Sequence, residues 1–213
     1  MLRTNILDKL RGEPNNSIVS AQSHYEQGVL LAGQNLYHEA VGEFKQAIRA
    51  EPHFSEAQLE LGVTYHKMGR ISEAVKAYFA ALESQPDLVN AYTNLGIAYD
   101  SLGQFVKALK MYLKAIRLRP DDLALRKNLG LVYFNMGSYA EAIKAYQQAL
   151  RIDSNDGEVH YYLGLVYLDL EDQNSALEKH RQLEELGHQG FASRLLDEIQ
   201  KQAWHVNATQ PVQ

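Results

Sequence analysis

Cysteine is absent from the 213 residues, so no disulfide, thiol nucleophile or cysteine-ligated metal can form. Proline is scarce at five residues, and tryptophan occurs once. Long apolar runs are missing too: the most apolar stretch, 161–170, is about half of the ~20 residues that a membrane-spanning helix needs. Residues 1–20 carry Arg3, Asp8, Lys9, Arg11 and Glu13 and lack the apolar run of a secretory signal. Nor is there an excess of base, since 26 acidic side chains face 21 basic ones and leave a net charge of −5. That balance disfavours a phosphate backbone as partner. Together these absences lead us to expect a soluble cytoplasmic chain, at most peripheral to a membrane complex, with no nucleic-acid partner and no membrane span.

What the chain does have is a period. Shifted by 34 residues it aligns with itself as five units, 21–54, 55–88, 89–122, 123–156 and 157–190, without insertion or deletion. The eighth position is always glycine (Gly28, Gly62, Gly96, Gly130, Gly164) and the twentieth always alanine (Ala40, Ala74, Ala108, Ala142, Ala176). The twenty-fourth position is Phe44, Tyr78, Tyr112 and Tyr146, then His180, and Pro52, Pro86 and Pro120 close the first three units. A glycine inside a helix costs about 1 kcal/mol relative to alanine, so its recurrence at one phase requires a reason. Close approach of two antiparallel helices supplies it, with small residues at the contact and large ones filling the space around them.

Over residues 21–190 this pattern resembles the tetratricopeptide repeat (TPR) family. The resemblance implies an all-α fold, a right-handed α-solenoid of helix-turn-helix repeats, each with an A and a B helix. Gly69, Gly103 and Gly137 are expected to supply turns between the helices. After Gly190, Phe191, Leu195, Leu196, Ile199 and Ala203 fall on one helical face, which predicts a C-terminal capping helix over 191–205 and a disordered tail over 206–213. Residues 1–20 read as an N-terminal arm, a short amphipathic helix carrying Leu2, Ile6, Leu7 and Leu10 that Gly12 and Pro14 end.

Catalytic chemistry finds no foothold. Gly28 and Gly33 have P-loop spacing but no Lys-Ser/Thr follows, and the eight histidines form neither an HxxxH nor an HExxH pair. We therefore expect no enzyme, no metal and no cofactor. Most of the thirteen tyrosines fall at repeat positions where the family places core residues, which argues against a nucleic-acid stacking platform.

The resemblance implies a concave groove lined by the A helices at the second, fifth, sixth, ninth, twelfth and thirteenth positions. Acids outnumber bases there six to two, and the lysine-asparagine clamp of chaperone-binding TPRs is missing, with Leu59 and Val63 where it would start. Asn94 and Asn128 share the sixth position in successive units, a spacing similar to the asparagine ladder with which TPRs of O-linked N-acetylglucosamine transferases hold peptide main chain. An amide suits that role because it both donates and accepts. Glu60 and Tyr162 flank this pair at the same phase, Lys127 stands beside Asn128, and Phe134, Tyr161 and Tyr162 form an aromatic end suited to an apolar side chain. The alternatives are that the asparagines are merely solvated and that the aromatics pack against the fifth unit or the cap.

The expected function is accordingly a non-enzymatic interaction scaffold or adaptor whose groove takes a peptide or helix, neutral or basic rather than acidic. The alternative is a self-assembling structural scaffold whose N-terminal arm docks on another copy; the other reading of the arm is that it folds back over its own first unit. Small stand-alone bacterial TPR proteins such as the magnetosome-associated MamA family are similar in size and repeat count, and self-assemble.

Overall fold

The computed structural model describes residues 14–208, with side chains placed over 20–203. Among the described residues there are eleven α-helices and no strand: α1 (Pro14–Gly33), α2 (Tyr37–Ala50), α3 (Ser55–Lys67), α4 (Ile71–Ser84), α5 (Val89–Ser101), α6 (Phe105–Leu118), α7 (Leu123–Asn135), α8 (Tyr139–Ile152), α9 (Gly157–Asp169), α10 (Gln173–Glu185) and α11 (Gln189–Ala208). Two compact units divide them, Met1–Leu102 with α1 to α5 and Gly103–Gln213 with α6 to α11.

The 34-residue period becomes a pair of helices wherever both fall in one unit: α1 packs on α2, α3 on α4, α7 on α8 and α9 on α10. A glycine of the first helix against an aromatic ring of the second explains the closeness of α1 to α2, α3 to α4 and α7 to α8. A Cβ on Gly62 would stand 2.5 Å from the Tyr78 ring, and one on Gly130 would stand 2.5 Å from the Tyr146 ring. Tyr146 and the alanines at the twentieth position are fully buried as a result. The tyrosines at the eleventh position are less enclosed, with Tyr65 buried and Tyr99, Tyr133 and Tyr167 half-buried.

Helix A ends the same way in each complete pair. Gly69 takes φ +73°, which lets its own N–H reach the His66 carbonyl at 2.9 Å and the Arg70 N–H reach the Tyr65 carbonyl at 2.9 Å. Gly137 repeats the geometry, but in the first and fifth repeats Asn35 (φ 61°) and Glu171 (φ 60°) occupy the left-handed position. The turn therefore holds its shape without glycine, at a steric cost of about 1 kcal/mol for Glu171. At the other end, Glu51 and Gln85 are extended, as suits the prolines that follow them, and Asp153 takes the same backbone before Ser154.

The fifth repeat departs from the others, and α11 accounts for it. His180 stands at the aromatic position, yet a Cβ on Gly164 would meet the Leu195 side chain of α11. His180 instead pairs its Nδ1 with the Ala192 carbonyl at 3.1 Å. Gly157 is small for a related reason: the His188 ring lies where its Cβ would be, and His188 Nε2 bonds the Asn155 carbonyl at 2.7 Å. Leu195 and Ile199 are buried, as the apolar face of the cap requires.

Two boundaries differ from the sequence reading. Pro14 opens α1, since the first helical position needs no N–H donor, and the first A helix thus begins seven residues before Ala21. α11 runs to Ala208, three residues into the segment read as a tail, because no proline intervenes before Pro211. The arm residues Leu2, Ile6, Leu7 and Leu10 lie outside the described residues. No described helix is long and apolar enough to cross a membrane.

Candidate peptide-binding surface

In the second unit α7 touches α9 and α9 touches α11, so three A-type helices form a layer. Between them opens a hollow of about 400 Å³ lined by Phe134, Leu165, Leu168, Asp169, Glu198, Lys201 and Gln202. Its floor is apolar and its rim polar. Phe134 is half-buried and tilts against Tyr139 at 6.1 Å between ring centroids, while the Tyr139 hydroxyl donates to Asp169 at 3.1 Å. Gln202 Nε2 donates to the Leu168 carbonyl at 2.8 Å, which ties α11 to the C-terminal end of α9. Lys201 is held by Glu198 at 2.8 Å, so Asp169 tips the rim towards negative charge.

Phe134 thus lies open to a ligand, but Tyr161 does not. Tyr161 is 7% exposed, its ring 5.6 Å from that of Phe191 and under the Arg194 guanidinium at 4.7 Å. Its assignment as an open anchor is corrected: the cap closes over it. Tyr162 is half-buried and stacks on Tyr146, 5.9 Å apart and within 3° of parallel. Burial, and then the Glu158 carboxylate, raise its hydroxyl pKa.

Lys127 is also committed to structure. Its ammonium donates to Asp156 at 3.1 Å and to Glu158 at 2.5 Å, bonds that outweigh burial and raise its pKa. The Asp156 carboxylate meanwhile caps α9 by accepting from the Val159 N–H at 2.9 Å. Lys127 therefore braces α7 against the start of α9 and contributes no free cation. Asn128, one residue on, is half-exposed, and its side-chain amide has no hydrogen-bond partner among the described residues.

The first unit places Asn94 in the same condition, half-exposed and with no hydrogen-bond partner for its amide among the described residues. Glu60 is half-buried on α3, and its carboxylate accepts no hydrogen bond among the described residues. Burial raises its pKa, and Lys67 partly offsets that. The Tyr25 hydroxyl of α1 is raised by burial and then by Glu60 and Glu56, so the A helices of this unit carry negative charge at a partly dry surface. Tyr25 is held by Phe54, with ring centroids 5.1 Å apart.

Sequence reasoning missed Glu198, Lys201 and Gln202 as walls of the hollow. They lie beyond the last full period, so no repeat phase assigned them to a face. No group of three or more His, Cys, Asp or Glu side chains among the described residues could hold a metal ion.

The repeat geometry has direct counterparts. Three family profiles match the chain, two described as tetratricopeptide repeat over residues 25–89 and 89–122 and one as TPR repeat over 133–170. The chain belongs to the tetratricopeptide repeat family. As a TPR protein it has the fold of a protein-interaction scaffold, a class of repeat that is generally non-enzymatic. A comparison with curated protein sequences gives no match.

Solved structures with the same TPR fold include a MamA protein, 23% identical with a TM-score of 0.73, covering 79% of this chain and 92% of its own. MamA from residue 41 to the end, from Desulfovibrio magneticus RS-1, is 22% identical with a TM-score of 0.74 over 80% of this chain and 96% of its own. YrrB, described as a TPR protein with an unusual peptide-binding site, is 21% identical with a TM-score of 0.70 over 86% and 94%.

Proposed function

We propose that this TPR chain is a non-enzymatic, cytoplasmic adaptor that binds an extended segment of a partner protein on its A helices. In the second unit Asn128 bonds the main chain and the hollow at Phe134, Leu165 and Leu168 takes an apolar side chain, with Tyr162 beside it; Asn94 offers the same amide to main chain on the first unit. The observation that carries the reading is the hollow itself: about 400 Å³ with an apolar floor, in a unit whose Asn128 amide has no hydrogen-bond partner among the described residues. The preferred segment is neutral or basic, because Asp169 and Glu198 outnumber the one cation of the hollow's rim, Lys201, which is already paired. Selection from a random peptide library tests this. Recovered peptides should share one apolar residue and lose about tenfold or more in affinity for Phe134→Glu. Peptides indifferent to that change would remove the hollow from the site.

A second reading is self-assembly through the arm, whose Arg3, Lys9 and Arg11 complement the Glu60 surface of another copy. Light scattering of the full chain beside one lacking residues 1–18 decides it. Large species that vanish on truncation support self-assembly, and two monomers reject it.

A further inference from the structure

Five of the 21 basic side chains, Lys107, Lys110, Lys114, Arg117 and Arg119, fall between residues 105 and 119, where there is no acid. The remaining sixteen face all 26 acids elsewhere, so α6 is a basic island in an acidic chain. Four of the five are on α6 itself, and all four are exposed.

The same helix exposes apolar side chains that its packing does not use. Its buried face is Ala108, Met111, Tyr112 and Ala115, yet Val106 is 60% and Leu113 41% exposed, on one face of the helix about two turns apart. Leu109 and Ile116 are half-buried and lie to one side of that line, about 60° around the helix. Residues 106, 109, 113 and 116 follow the alternating three-four spacing of a coiled-coil seam, and Lys110 and Arg117 each stand one position after a seam residue, where interhelical charge pairs form.

We propose that this α6 ridge docks an acidic amphipathic helix of a partner protein, with Val106, Leu109, Leu113 and Ile116 meeting its apolar stripe and Lys110 and Arg117 its carboxylates. A helix is favoured over an anionic membrane because the exposed apolar side chains follow a heptad line along one helix face with charges at the flanking positions. A rod-shaped partner can cover that line along its length, whereas a plane would touch only its crest. This surface lies on a B helix, so the proposal stands apart from the peptide reading above.

The probe is a fluorescein-labelled peptide of about three heptads, leucine at the seam positions and glutamate on both flanks. A scrambled peptide of equal composition and vesicles of phosphatidylglycerol with phosphatidylcholine are run beside it. The full chain is expected to bind the probe with a Kd on the order of 10⁻⁵ M at low salt, and not the scrambled peptide. Lys110→Glu with Arg117→Glu should weaken binding about tenfold or more, and Val106→Ser with Leu113→Ser should do the same. Asn94→Ala with Asn128→Ala should leave it unchanged. All six positions are exposed or half-exposed, and circular dichroism confirms that each variant is folded. Equal binding of the scrambled peptide, indifference to the α6 changes, or loss on the asparagine change would overturn the proposal. Vesicle binding abolished by the α6 changes would overturn it in favour of lipid.

Discussion

The ring of Tyr161 lies 5.6 Å from that of Phe191, and the Arg194 guanidinium stands 4.7 Å from the same tyrosine ring, so α9 and α11 are joined by an aromatic-cation sandwich. Arg194 Nη2 also donates to the Tyr161 hydroxyl at 3.4 Å. The sandwich fixes α11, and α11 in turn supplies Glu198, Lys201 and Gln202 to the hollow beside Phe134.

Removing the outer ring should therefore loosen the site's wall. Phe191→Ala is expected to cost about 2 kcal/mol, since Phe191 is only half-buried and a fully buried phenylalanine costs 3–5. Thermal melting should fall by roughly 4–8 °C. Amide hydrogen exchange should accelerate in α11 before it does in α7.

The glycines at the eighth position should be the least replaceable in the chain. Gly130→Ala places a methyl 2.5 Å from the Tyr146 ring, and the ring, fully buried, has no room to retreat. A loss of about 1–3 kcal/mol is expected. Gly42→Ala is the matched control, because it lies within α2, is exposed and would meet nothing within 4 Å. That change should stabilise by about 0.5–1 kcal/mol through helix propensity alone. Denaturant titration of both variants reads the two signs directly.

Glu60 should make stability depend on pH in an unusual direction for a carboxylate. Its folded pKa is raised, first by burial, so the native state holds the proton more tightly than the unfolded chain. The stability this provides is present below the ordinary value of 4.5 and is lost as pH rises through the folded pKa. At neutral pH Glu60 is thus a burden. Glu60→Gln should raise the melting temperature at pH 7, and the gain should disappear below about pH 4.5. Melting curves across that range check both the sign and the window.

Much of this was legible in the sequence, for a physical reason. A helix pair this close tolerates only glycine or alanine at its contacts, so packing imprints a 34-residue period on the chain, and the period locates every helix from α2 to α10. Legibility fails where the period stops constraining residues. Tyr161 shares the phase of Leu59 and Lys127, but nothing repeats α11, so its burial under Phe191 and Arg194 leaves no mark at that phase. Glu171 shows that a left-handed turn forms without the glycine that would announce it. Gly157 departs from the pattern only because His188, outside its own helix pair, fills the space. Lys127 looked like a groove cation because its two acid partners, Asp156 and Glu158, stand about thirty residues on, at the start of α9.

The central claim is that the half-exposed amides of Asn94 and Asn128 hold a partner's main chain. Capture of library-selected peptides by Asn94→Ala with Asn128→Ala tests it most directly, since among the described residues neither amide has a hydrogen bond whose loss would disturb the fold. The account predicts a melting temperature within about 2 °C of the unaltered chain and an affinity at least about tenfold weaker. Unaltered affinity in a folded double variant would contradict it.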